Sequence, residues 1–108
     1  MSIGIILYDK KDNPMVKHVV MWTLLGDKIS SGQKVKTKFE SMSDQISEIL
    51  SLEVGFNFNP TSGHDLILIT THKDKDALIR YIQHPYHQQV VAFVPEFLTN
   101  RVCVDFEL

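Results

Sequence analysis

Five histidines, three tyrosines and one cysteine are spread over 108 residues, and these are the side chains able to move protons or bind a metal near neutral pH. His84 and His87 stand three apart, a spacing that suits two ligands on one helical turn. Pro85 breaks the helix between them, and no carboxylate lies beside the pair to complete a facial triad, so the spacing predicts no metal site. His84 is expected to cap the helix that Pro85 opens, its ring accepting a backbone N–H. It also counts among the candidate ligand-binding residues because it adjoins His87. His64 and His72 flank an apolar run and are expected to be solvated strand ends. His18 is different. It interrupts the run Val16 to Leu25, and alternation puts it on one face with Val20 and Trp22. If a helix carrying Val35 and Phe39 covers that face, then His18, Tyr81 and His87 border one cavity lined by Val20, Trp22, Phe39 and Leu68. A phenol and two imidazoles in an apolar pocket suffice for acid–base chemistry. The competing reading of His18 is a buried imidazole whose hydrogen bonds are satisfied within the fold.

The elements that must position these residues can be read from periodicity. Val16 to Leu25 is β-branched and aromatic with a single charge, a strand apolar on both faces that ends at Gly26-Asp27. Val35, Phe39, Met42, Ile46, Ile49 and Leu50 recur at spacings of three and four, which predicts one amphipathic helix. Glu53 to Asn59 alternates and meets Pro60-Thr61-Ser62-Gly63, a turn leading to a second two-sided strand from Asp65 to His72, so the pair reads as a hairpin. Ala77, Leu78, Tyr81 and Ile82 mark a short helix that stops near His84. A further helix follows from Pro85 to about Leu98, with Pro95 able to kink it. Arg101 to Leu108 alternates as the last strand. The order β, α, β, β, α, α, β predicts an α+β, ferredoxin-like antiparallel sheet with helices on one face. The other face needs a cover, and a second copy packed sheet against sheet is the simplest one.

Composition narrows the function. Eleven basic against thirteen acidic residues, a net charge of −2, leave no surplus for phosphate neutralisation, and no nucleic-acid partner is expected. No run reaches the roughly 18 apolar residues of a membrane span. One cysteine fits a reducing compartment, so a cytoplasmic location is expected. Residues 1–14 read as an N-terminal arm, with an added edge strand at 3–8 and a turn-rich connection, ahead of a domain over 15–108.

Val16-Lys17-His18-Val19-Val20, Leu52-Glu53-Val54-Gly55-Phe56-Asn57-Phe58, the junction Tyr81-Ile82-Gln83-His84-Pro85-Tyr86-His87 and the closing Arg101-Val102-Cys103-Val104-Asp105-Phe106 together resemble the stress-responsive A/B barrel domain, over about residues 15 to 107. The resemblance implies a homodimeric α/β barrel built from two ferredoxin-like subunits. It spans stress-associated plant proteins, bacterial members of unknown role and a plant branch that cyclises polyketides. In that branch the tyrosine and second histidine of the Tyr-x-x-His-Pro-x-His pattern form the acid–base pair, matching Tyr81 and His87, and the opening-strand histidine matches His18. The resemblance then implies that neutral His87 removes a proton between two carbonyls while Tyr81 hydrogen-bonds the oxygen that gains charge, without a cofactor. Gln88-Gln89-Val90-Val91 departs from that branch, setting bulk where a long acyl chain would need room. Three readings follow: a homodimer binding a small apolar or carbonyl-containing molecule, a cofactor-independent cyclase or lyase, and a stress-associated assembly without catalysis.

Overall fold

The computed structural model describes residues 13–61 and 63–108; the arm strand expected at 3–8 lies outside the described residues. Strand β1 (Val16–Leu24) leads into helix α1 (Lys28–Glu40) and a single turn α2 (Met42–Gln45). Strands β2 (Ser51–Phe56) and β3 (Leu66–His72) follow, then helices α3 (Lys75–Gln83) and α4 (Pro85–Phe93), a 3-10 turn at Val94–Glu96 and strand β4 (Leu98–Glu107). The strands form one antiparallel sheet in the order β2-β3-β1-β4. This is the ferredoxin-like α+β architecture that the element order predicts.

Helix starts follow side-chain chemistry. The Asp27 carboxylate accepts from Ile29 N at the start of α1, and that of Asp74 accepts from Ala77 N at the start of α3. Each satisfies an N–H that the helix cannot. At Gly32 in α1 an added Cβ would fall 2.9 Å from a ring carbon of Phe56, so the missing side chain lets the edge strand close on the helix. The core then fills with Val20, Trp22 and Leu24 of β1, Leu66 and Leu68 of β3, Val35 and Phe39 of α1, Met42, Ile46 and Tyr81.

Several boundaries differ from the periodicity. The single helix expected through Leu50 breaks at Ser41, whose hydroxyl bonds back to the Lys38 carbonyl at 2.6 Å and also meets the Tyr86 hydroxyl. Ile46 takes an extended backbone, stays buried and closes the core, whereas Leu50 is exposed. Strand β2 ends at Phe56 rather than Asn59, because Asn57 and Asn59 turn the chain by accepting from Asn59 N and Thr61 N. Phe58 is consequently 99% exposed. Helix α4 stops at Phe93, and β4 starts three residues before Arg101, because Pro95 carries no N–H to continue the helix. A register shift between Met21 and Thr23 accompanies Asn100, which has a left-handed φ of 55°. His72 is a further correction. It is fully buried, donating from Nδ1 to the Glu48 carbonyl and accepting from the Thr70 hydroxyl at Nε2, so a histidine that ends a strand here serves as an internal tie.

Burial alternates strictly along β1, with His18, Val20 and Trp22 under the helices and Val19 and Met21 only half-buried. Register places Ile67 and Ile69 of β3, and Val102, Val104 and Phe106 of β4, on the same uncovered face as Val19 and Met21. Strand β2 adds Glu53 and Gly55 there, so among the described residues the apolar stripe runs over β3, β1 and β4.

Candidate functional site

A cavity of about 120 Å³ lies between the helix-facing side of the sheet and the helices. His18, Val20 and Trp22 of β1 and Leu68 of β3 form its floor, Phe39 and Met42 one wall, and Tyr81, His87, Val90, Val91 and Val94 the rest, with Arg101 from β4 completing the lining. All of the expected lining residues meet there except His84. The β1–β3 register sets Val20 opposite Leu68, and Phe39 reaches down from α1 to pack on Trp22 with ring centroids 5.2 Å apart. His84 instead accepts from Tyr86 N through Nδ1 at 3.0 Å and caps α4. Its role is to set the chain break that turns His87 toward Tyr81.

Tyr81 is central. Its ring lies 4.5 Å from that of His87, 4.7 Å from His72 and 6.0 Å from His18, centroid to centroid. The hydroxyl lies 3.9 Å from the Met42 thioether, a weak acceptor, and also has the Thr70 hydroxyl as a neighbour, which partly offsets the upward push of burial. Burial pushes the phenol up to about 12, which keeps it protonated at neutral pH. Burial also lowers His87 below the ordinary imidazole value, outweighing the backbone carbonyl contact that raises it. His87 Nδ1 donates to the Ile82 carbonyl at 2.9 Å, and the Gln88 amide reaches the same oxygen at 2.7 Å. With Nδ1 so engaged, the lone pair of the neutral ring sits on Nε2. The site thus couples a neutral imidazole base to a phenol that holds its proton.

On the β4 side His18 Nδ1 donates to Asp105 Oδ1 at 2.5 Å, and Cys103 Sγ lies 3.6 Å from the same nitrogen. Burial, with the Asp105 carboxylate beside it, pushes the Cys103 thiol up. Asp105, Cys103 and Arg101 were not expected from the sequence. Their only signal was the alternation Arg101, Cys103, Asp105 in the last strand, which becomes informative once β4 is known to pair with β1.

Residues 16–108 match the family model of the stress responsive A/B barrel domain, and the chain belongs to that family. An uncharacterized protein of Streptomyces coelicolor is 30% identical over 97 residues, spanning 86% of this chain and 99% of its own. Among solved structures, a dimeric protein of unknown function and ferredoxin-like fold from Bacteroides fragilis is similar at 31% identity and a TM-score of 0.77, with 87% of this chain and 96% of that one covered. A hydroxynitrile lyase from Passiflora edulis shares the fold at a TM-score of 0.78 and 11% identity, over 90% and 95% of the two chains.

Proposed function

We propose that the protein is a homodimer that binds a small apolar or carbonyl-containing molecule in the cavity between β1 and the helices. The observation that carries this reading is the lining itself, mostly hydrocarbon, with the Tyr81 hydroxyl, the His87 and His18 rings and the Arg101 guanidinium as its few polar groups. Such sites hold a ligand by apolar contact and orient it with a small number of hydrogen bonds. Size limits the ligand. A cavity of about 150 Å³ suffices for benzene, so about 120 Å³ takes a short branched chain or most of one small ring, whose substituent would lie in the cavity's partly open mouth. Val90 and Val91 line the cavity beside His87, and their bulk disfavours a long acyl chain such as a polyketide.

Trp22 is the chain's single tryptophan and lines the cavity, so its fluorescence is a built-in reporter. Titration with acetophenone and benzaldehyde is expected to change the emission saturably, and Val91→Phe, which fills the cavity, should remove that change. A flat titration with both, together with no small molecule co-purifying by mass spectrometry, would end the binding reading.

A second reading, acid–base catalysis, draws on the protonation states of Tyr81 and His87 described above. For an aryl cyanohydrin, His87 Nε2 would take the hydroxyl proton as the C–C bond to cyanide breaks, while the Tyr81 O–H donates to the oxygen becoming the carbonyl. Aldehyde, cyanide and a protonated His87 result, and the cyanide takes the proton as it leaves. Release of benzaldehyde from mandelonitrile, followed by absorbance, tests this reading; a rate unchanged in His87→Ala would exclude it.

A further inference from the structure

We propose that His18, Cys103 and Asp105 form a binding site for a thiophilic divalent transition metal such as Zn²⁺. His18 is 85 and 87 residues from the other two donors and meets them through strand pairing. His18 stands opposite Asp105 in the β1–β4 register and Val20 opposite Cys103. The two-residue period of β4 puts Cys103 and Asp105 on the face that His18 occupies. Their ligand atoms all lie within 4.8 Å of one another.

The distances fit a tetrahedral ion. With metal–sulfur bonds of about 2.3 Å and metal–nitrogen and metal–oxygen bonds of about 2.0 Å, a tetrahedron has edges of about 3.5 Å from sulfur and about 3.3 Å from nitrogen to oxygen. Cys103 Sγ lies 3.6 Å from His18 Nδ1 and 3.5 Å from Asp105 Oδ1, so both sulfur edges are already at ligand spacing. The nitrogen-to-oxygen edge is 2.5 Å, spanned by the proton that Nδ1 donates. Replacing that proton with a cation needs an opening of about 0.8 Å. The Asp105 side chain is 47% exposed, which gives it room to rotate.

The donor set also selects the ion. One thiolate, one imidazole and one carboxylate carry a charge of −2 against a dication, and the sulfur disfavours Mg²⁺ and Ca²⁺ relative to Zn²⁺ or Co²⁺. On binding, the thiol proton passes to solvent, and the Nδ1 proton of a neutral His18 moves to Nε2, leaving a neutral imidazole as ligand. Three protein ligands leave the fourth position to water, the arrangement of an open rather than a closed site.

Co²⁺ is the probe, added to the reduced, untagged full-length chain. The expected result is one Co²⁺ per chain with a thiolate-to-cobalt charge-transfer band in the near ultraviolet and visible bands of tetrahedral intensity, both displaced by Zn²⁺. Cys103→Ser, an exposed and nearly isosteric change, should abolish the charge-transfer band. Asp105→Asn should weaken Co²⁺ binding by about tenfold or more. Circular dichroism verifies that both variants are folded. No charge-transfer band with excess Co²⁺, or a band that persists in folded Cys103→Ser, overturns the site. Neither outcome bears on ligand binding, which is read by Trp22 without added metal.

Discussion

The His87 and His72 rings lie 4.5 Å and 4.7 Å from that of Tyr81, each tilted against it, and loss of water shifts all three groups from their ordinary values. For the acid–base reading, His87→Ala should lower any lyase rate by about 100-fold or more, and Tyr81→Phe by a comparable factor with shape preserved. If the pair is structural, both changes should lower the melting temperature and leave the acetophenone titration nearly unchanged. His72 gives a stability prediction of definite sign. Desolvation depresses its folded value below 6.5, outweighing the Glu48 carbonyl contact and the nearby Glu48 and Asp105 charges that raise it, while His18 adds to the depression. The unfolded chain therefore takes up the proton first. Stability should be full above pH 6.5 and fall as pH drops through that value toward the folded one. Urea unfolding on either side of pH 6.5 measures the slope. His72→Gln, which cannot titrate, should reduce the slope to the part that His87, also depressed by burial, contributes, and an equal slope in the variant would assign the effect elsewhere.

At the level of elements, the break between α3 and α4 is the device that aims His87. Pro85 supplies a preset φ at the first position of α4, and the His84 ring satisfies an N–H at its start. Replacing His84 with Ala removes that cap and should cost about 0.5–2 kcal/mol by denaturant unfolding, with a weaker effect on ligand binding because His84 does not touch the cavity. An affinity loss larger than the stability loss would instead mean that the ring contacts the ligand directly. The arm is an element of a different kind. The described residues already contain the four strands and their covering helices, so a chain beginning at Met15 is expected to retain its circular dichroism spectrum. An unfolded product would show the arm to be part of the fold.

On the scale of the whole molecule, the sheet face that the described residues leave uncovered bears on assembly. Val104 is 60% exposed and Phe106 44%, flanked by Val19, Met21, Ile67 and Ile69, a continuous apolar stripe of the kind that marks an interface. The similar structure from Bacteroides fragilis is dimeric. A carboxylate placed in the middle of the stripe would be buried unpaired on association, at a cost of several kcal/mol. Sedimentation of Val104→Glu should therefore show a folded monomer where the unmodified chain sediments as a dimer. A monomer from the unmodified chain at micromolar concentration would instead show the face to be free.

Periodicity alone carried the element order, the ferredoxin-like sheet and the partition of β1 into two faces, because side-chain direction in a strand is fixed by local geometry and needs no tertiary information. The break at Pro85 and the cap at His84 were legible for the same reason, since both act within three residues. Contacts that depend on strand register or on a helix ending early were not. The extent of α1 was misjudged because the Ser41 hydroxyl is drawn off by Tyr86, a residue 45 positions away. His72 looked like a solvated strand end until the loop before β2 folded over it and offered the Glu48 carbonyl. Tyr81, His87 and His18 could be assigned to one cavity from faces and spacing, but its size depends on how Val90, Val91 and Met42 pack, and packing is a property of the assembled layers. The cluster of His18, Cys103 and Asp105 is the extreme case. Nothing local connects residue 18 to residues 103 and 105, and only the pairing of the first strand with the last, which places them side by side on one face, brings a ring nitrogen, a thiol and a carboxylate together.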